Sequence, residues 1–287
     1  MSVLSTISKP ENRPPIITIC GDAGTGKTSL AATFPNPIVI RAEDGLQSIP
    51  DDKRPDAFPV LKSADDLWPQ LMALLQEDHQ YRTVIIDSVS ALEQLFVRSV
   101  MEADGRCKSI NQALGGYGAG VAAVAAMHQR VRKAAGLLNE RKGMAVIFVS
   151  HADLEAVRPP DQDDYTRYSL RLMAKSLPPY VDDVDMVAFV RLVSALRGEE
   201  GDRKKIISNG DREVVCHATA ASVSKNRYGI TDTLDFVAGE NPFAATFGLN
   251  KAKAKAKAET KPKPKAKEPE PETTDAEIDP ADFAETE

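Results

Sequence analysis

Gly21-Asp22-Ala23-Gly24-Thr25-Gly26-Lys27-Thr28 is the stretch that decides the fold. It fills every fixed position of the P-loop: Gly, four residues, then Gly-Lys-Thr. Upstream, Ile16-Ile17-Thr18-Ile19-Cys20 is apolar and β-branched, as a buried strand is. Downstream, Ser29-Leu30-Ala31-Ala32-Thr33-Phe34 has helix-forming character and stops before Pro35. In a strand–loop–helix context the glycines let successive N–H groups point at phosphate oxygens, and the helix adds its positive end. Gly21 through Ser29 then form the nucleotide-binding loop. Lys27 is placed to reach the β- and γ-phosphates, and the Thr28 hydroxyl to hold Mg²⁺. The chain is expected to bind a nucleoside triphosphate, read as ATP with Mg²⁺; the loop itself does not separate ATP from GTP.

At 287 residues and 42% hydrophobic, the chain can bury a full core. No apolar run reaches the ~20 residues of a membrane span, and no secretory leader is expected, so the expected location is the cytoplasm. Cys20, Cys107 and Cys216 are odd in number and widely spaced, which suggests reduced thiols rather than disulfides or a zinc site. Cys20 reads as a small core residue. The net charge of −6 is segregated: from Lys251 onward eight lysines face ten Asp and Glu. Lys251–Lys267 alternates Lys with Ala or Pro, and Glu268–Glu287 is acidic. This segment has little to bury and is expected to be disordered. It reads either as a basic arm with an acidic tip for a partner protein or as a solubilising tail.

Strands alternate with helices, which argues for an α/β fold: a mostly parallel sheet with helices on both faces. Strands are expected at Ile16–Cys20, Pro37–Ala42, Thr83–Ser88, Met144–His151 and Asp185–Val193. Helices are expected at Ala64–Glu77, with Ser63 as N-cap and Leu67, Leu71, Leu74 and Leu75 inward, at Val89–Ala103 and at Ala119–Arg141. Lys204–Ser208 and Glu213–Thr219 read as an antiparallel hairpin at the C-terminal edge, turning at Asn209-Gly210. The expected organisation is an extension over 1–12, one domain over 13–250 and the tail over 251–287.

Thr83-Val84-Ile85-Ile86-Asp87-Ser88 is an apolar strand ending in an acid, the Walker B pattern. An acid at the C-terminal edge of a parallel strand faces the ligand crevice, where Asp87 can hold Mg²⁺ through water. Many ATPases place Glu directly after that Asp; here Ser88 stands there, so the base must come from elsewhere. Glu43, following strand Pro37–Ala42, is the candidate to polarise the attacking water, with Asp44 as substitute or both as turn caps. His151, ending strand Met144–Val149, can touch the γ-phosphate and report its loss to the next loop.

These pieces, in this order, resemble the ATPase core of the bacterial recombinase RecA over about residues 13–237. Ala42-Glu43 resembles that family's Ala-Glu, which implies Glu43 as catalytic base. Val84-Ile85-Ile86-Asp87-Ser88-Val89-Ser90-Ala91-Leu92 is similar to its Walker B stretch, and the helix Arg130–Gly136 and strand Val146–Val149 match in kind. Ser224-Lys225-Asn226-Arg227 resembles its Lys-Asn-Lys, implying that Lys225 and Arg227 act in trans on a neighbour's γ-phosphate; an ordinary surface turn is the other reading. His151 stands where the family has Gln. RecA's N-terminal polymerisation helix and folded C-terminal domain have no match here, so the compact chain is more similar to phage AAA-type ATPases with a RecA core, some of which are single-strand annealing proteins. That resemblance implies a phage-encoded protein working in a bacterial cytoplasm, and a homo-oligomer with shared ATP sites.

The same resemblance directs two loops at single-stranded DNA. The first, Arg106–Gly120, offers Lys108 and Tyr117 in a glycine-rich setting suited to base stacking. The second, Ala152–Tyr168, offers Arg158, Tyr165, Arg167 and Tyr168, opposed by Asp161, Asp163 and Asp164. Each is an ordinary surface loop on its residues alone. Asn241–Leu249, with Phe243 and Phe247, packs either on its own core or on a neighbouring subunit. The leading expectation is an ATP-hydrolysing protein that binds single-stranded DNA and assists annealing or recombination, with a single-strand-binding or other recombination protein as a possible tail partner. The alternatives are a P-loop switch acting on a protein partner and, lacking an Arg-rich lid, a small-molecule kinase.

Overall fold

The computed structural model describes residues 3–9, 12–197 and 205–249. The chain folds as an α/β protein on a mostly parallel sheet of order β10-β8-β7-β1-β5-β4-β2-β3, with β8 (Lys205–Val215) and β10 (Leu234–Asp235) at one edge. Its central parallel strands are β1 (Ile16–Gly21), β2 (Pro37–Arg41), β4 (Thr83–Asp87), β5 (Ala145–Val157) and the first half of β7 (Met186–Arg197). β1 lies between β5 and β7, with Gly21 opposite both His151 and Val190. β4 lies between β5 and β2, with Asp87 opposite Val149 and Arg41. β3 (Asp56–Ala57), a two-residue edge strand beside β2, has no periodic signal in the sequence.

The two faces of the sheet are covered unequally. One carries the long helices α2 (Leu67–Gln76), α3 (Val89–Asp104) and α4 (Ala119–Lys142), whose apolar stripes pack on Ile16, Ile38, Ile40, Val84, Ile86, Val146 and Phe148. The other carries only the short α1 (Lys27–Ala31), the turn bearing Leu46 and Ile49, and the C-terminal coil. Strand residues alternate between these two cores, as period-two side chains must when both faces are covered. Phe243 is buried, and Phe247 packs against Phe34 at 6.1 Å and Tyr228 at 4.9 Å. The segment Asn241–Leu249 thus packs on its own chain's core.

Three expectations are corrected. α2 begins at Leu67, because Asp66 Oδ2 accepts the N–H groups of Lys62 and Ser63 and closes a turn there; Ser63 is not the cap. The C-terminal-edge hairpin pairs β7 with β8 (Lys205–Val215), and Asn209-Gly210 lies inside β8. The register jumps there, from Leu192 opposite Arg212 to Ser194 opposite Ser208, and Gly210 has φ +88°, so the Asn-Gly pair marks a bulge rather than the turn. The second candidate DNA loop is also a hairpin: β5 runs on to Val157 and pairs antiparallel with β6 (Tyr165–Leu170). The tail from 251 and Lys204 lie outside the described residues. Among the described residues no helix is long and apolar enough to cross a membrane. Burial pushes the Cys20 thiol up to about 12, as befits an inert core residue, and Cys20, Cys107 and Cys216 are all free.

Candidate nucleotide site

The P-loop leaves β1 at Gly21, where a side chain has no room: a Cβ there would lie 2.3 Å from the Val190 carbonyl oxygen. Gly24 and Gly26 take left-handed φ values of +76° and +92°, and α1 starts at Lys27. Asp22, Ala23 and Gly24 form the exposed crest, while Thr25 and Lys27 are buried. The Asp22 carbonyl accepts from Lys27 Nζ and from Thr25 Oγ1, both at 2.8 Å, so the lysine is folded along the loop it serves. Burial, first of all, holds the Lys27 ammonium below its usual range.

Thr28 Oγ1 donates to Asp87 Oδ2 at 2.7 Å, joining the start of α1 to the end of β4. Asp87 is buried, and its Oδ1 has no partner among the described residues. Its carboxyl is raised, chiefly by desolvation. A hydroxyl beside an orphaned carboxylate oxygen fits a hard cation such as Mg²⁺. Among the described residues no group of three His, Cys, Asp or Glu could hold a metal alone. Ser88, in the position after Asp87, accepts from the Ala91 N–H as N-cap of α3.

Glu43 and His151 come from strands that are not neighbours, yet His151 Nε2 lies 3.0 and 3.2 Å from the two Glu43 carboxylate oxygens. A carboxylate only accepts, so Nε2 carries the hydrogen. This bond is the first reason that the Glu43 carboxyl sits below its usual range; Glu43 is ionised at neutral pH. The His151 N–H donates to Ser90 Oγ and its carbonyl accepts from the Arg171 N–H, so the residue ties the sheet edge to both α3 and the end of β6. Asp44, the substitute base, instead pairs with Arg41 at 3.1 Å on the surface.

Lys225 and Arg227 lie elsewhere. β9 (Lys225–Asn226) pairs with β7 at Met186 and Val187, which lie opposite Ile17 and Thr18 of β1, about 10–13 Å along the strand from its P-loop end. Lys225 Nζ donates to the carbonyls of Val181 and Asp182, and Arg227 pairs with Asp185 at 3.1 Å. They do not join this chain's own site. Of the DNA candidates, Tyr117 is fully exposed at φ +52° between Gly116 and Gly118, and Lys108 is exposed nearby. Arg158 is paired with Asp164 at 3.4 Å and Arg167 with Glu155 at 3.0 Å. Tyr165 is half-buried opposite Val157, and Tyr168 stacks on Phe189 at 4.8 Å.

Residues 13–228 match the family model described as AAA domain, and the chain belongs to that family of P-loop ATPases. No curated protein matches the chain.

Proposed function

We propose that this chain is a RecA-like ATPase, phage-encoded and acting in the bacterial cytoplasm, that binds single-stranded DNA under the control of ATP and assists annealing or recombination. The observation that carries the reading is the Glu43–His151 contact at 3.0 Å, beside Thr28 and Asp87. In this reading an ionised base and the histidine that closes the parallel part of β5 serve the γ-phosphate of a P-loop ligand. Lys27 and the loop N–H groups bind the phosphates. Thr28 and Asp87 would hold Mg²⁺, which when bound would supply neutralisation of the phosphate charge. Glu43 orients water and takes one of its protons as the water oxygen attacks the γ-phosphorus, with ADP as the leaving group.

Coupling to DNA runs through His151. It is the last residue of β5 before the exposed extension that pairs with β6, so a side chain drawn from Glu43 toward a γ-phosphate would pull on that hairpin's base. Tyr117 supplies the stacking surface in this reading. Lys225 and Arg227 lie at the opposite sheet edge, so service to a nucleotide would be in trans, in a homo-oligomer. The tail would recruit a single-strand-binding or other recombination protein. One observation favours a second reading, a switch acting on a protein partner: the hairpin arginines Arg158 and Arg167 are already neutralised by Asp164 and Glu155.

The test is fluorescence anisotropy of a labelled single-stranded oligonucleotide at low salt, with and without ATP and Mg²⁺. The first reading expects binding that needs ATP, disappears in Lys27→Ala and weakens about tenfold in Tyr117→Ala, on the scale of one lost stacking contact. Absence of binding in every state would leave the switch.

A further inference from the structure

The catalytic groups occupy one flank of the P-loop only. Asp87, Glu43 and His151 belong to β4, β2 and β5, all on one side of β1. On the other side, beyond β7, β8 carries Arg212 two residues before the buried Val214, so both side chains share the face that α1 covers. The guanidinium lies against the last glycine of the loop: a Cβ on Gly26 would be 3.0 Å from Arg212 Nη1 and 3.1 Å from the Phe236 ring. The groove that contains the P-loop is lined also by Arg212 and, in the coil after Phe236, by Gly239, Glu240 and Asn241, with Gly239 beside Lys53.

Two donors in this stretch of groove lack acceptors. Arg212 Nε is buried with no hydrogen-bond partner among the described residues, and so is Asn241 Nδ2. The Asn241 amide is held in place, because its Oδ1 accepts the Phe243 N–H at 2.8 Å. Buried N–H groups without acceptors are uncommon, and a guanidinium can only donate. Two such donors in one groove ask for a ligand rich in acceptor atoms. The metal flank fixes which end of a nucleotide this is: with the γ-phosphate at Thr28, Asp87 and Glu43, the far flank faces the α-phosphate, ribose and base.

Resting on the nucleotide-binding reading above, we propose that Arg212 and Asn241 form the nucleoside side of the site, with Arg212 donating to the α-phosphate and Asn241 to the ribose or base. Gly26 is then required twice over, for its φ and for the space that Arg212 fills. Because both contacts are common to ATP and ADP, they set nucleotide affinity and not the rate of the chemical step.

The experiment titrates the full chain with ATP, ADP and inorganic tripolyphosphate, each with Mg²⁺, by isothermal calorimetry, beside turnover at saturating ATP. The variants are Arg212→Gln, which keeps the stem, and Asn241→Asp, which keeps the Oδ acceptor of the turn; Lys27→Ala is the control. Each variant is expected to weaken ATP and ADP alike, by about tenfold for Arg212→Gln. Asn241→Asp is expected to erode the preference for ATP over tripolyphosphate. The thermal midpoint without nucleotide reads folding, and if Arg212→Gln fails to fold, Arg212→Lys carries the same comparison. The proposal is overturned if ATP and ADP affinities stay within twofold of the parent in both variants. It is also overturned if ATP alone weakens, which would place Arg212 at the γ-phosphate. A parent chain that binds neither nucleotide, or a Lys27→Ala control that binds both normally, would instead overturn the nucleotide reading on which this one stands.

Discussion

Two His–Glu pairs in this molecule have opposite electrostatics. His151 and Glu43 meet at 3.0 Å with side chains 23% and 37% exposed; His128 and Glu93 approach to 3.7 Å with side chains 0% and 6% exposed. At the sheet edge the hydrogen bond prevails and holds the Glu43 carboxyl low. Inside the helical layer desolvation prevails: it raises Glu93 and pushes His128 down to about 3. His128 is therefore neutral at pH 7, and the pair's contacts are those of a structural cluster. His128 Nδ1 lies 2.7 Å from the Tyr180 hydroxyl, and its ring meets Phe96 edge-on at 4.9 Å. Glu93 accepts the Met173 N–H. The same residue types make an ionised carboxylate where water reaches them and a structural core where it does not.

The sharpest way to break this comparison is to neutralise both carboxylates in turn. Glu43→Gln is expected to lower ATP turnover by roughly 10²–10³-fold, within the usual range for a general base, while ATP still binds. Glu93→Gln is expected to leave turnover at saturating ATP within a few-fold and to shift the thermal midpoint instead. Steady-state phosphate release alongside calorimetric binding of ATP reads both. If Glu93→Gln stopped turnover without unfolding the chain, or Glu43→Gln left it intact, the division would be wrong.

The outer pair was within reach of the sequence and the inner pair was not. Glu43 follows the end of β2 and His151 closes the parallel part of β5, and such positions on one edge of a parallel sheet converge wherever the chain sends them. Their mutual hydrogen bond needed the order β1-β5-β4-β2, which no local pattern encodes. Glu93 and His128 sit at mid-helix in α3 and α4, 35 positions apart, with no motif to tie them. Arg212 was equally silent, because it falls between Lys204–Ser208 and Glu213–Thr219, two expected hairpin arms that the fold runs together into β8. The hairpin β5–β6 was missed because none of Asp153–Val157 is buried, so its alternation has no core to stand out against.

The inner pair predicts an acid response of definite sign. His128 has a folded pKa of about 3 against about 6.5 in the unfolded chain. Between these values the unfolded chain binds a proton that the folded one refuses, so stability falls as pH drops from about 6.5 toward 3. Glu93, raised in the fold, acts the other way: above its unfolded pKa the folded chain retains a proton, and stability falls as pH rises through that window. Tyr180, whose hydroxyl is pushed well above its usual value by burial, does not titrate in either range. His128→Asn places an amide where Nδ1 met Tyr180. It is expected to flatten the acid limb of a urea-midpoint profile by on the order of 2 kcal/mol between pH 6.5 and 4.5. An unchanged slope would mean that His128 takes up its proton inside the fold.

The smallest effect belongs to His151, and it separates positioning from proton transfer. His151 donates to Glu43 but does not stand in for it as base, so His151→Gln, which keeps a donor, is expected to cost about tenfold in turnover at saturating ATP. That corresponds to the net value of one hydrogen bond to a charged group, about 1.5 kcal/mol. Removing the imidazole also removes the first cause that holds the Glu43 carboxyl low. The acid limb of the turnover profile is therefore expected to move to higher pH in His151→Ala, since a carboxyl that protonates sooner is lost as a base sooner. His151→Gln, donating to the same oxygens, should move it less. A profile unmoved in both variants would uncouple His151 from Glu43 and leave its contact a resting-state pairing, in which case the hairpin beyond Ala152 would need another link to the nucleotide.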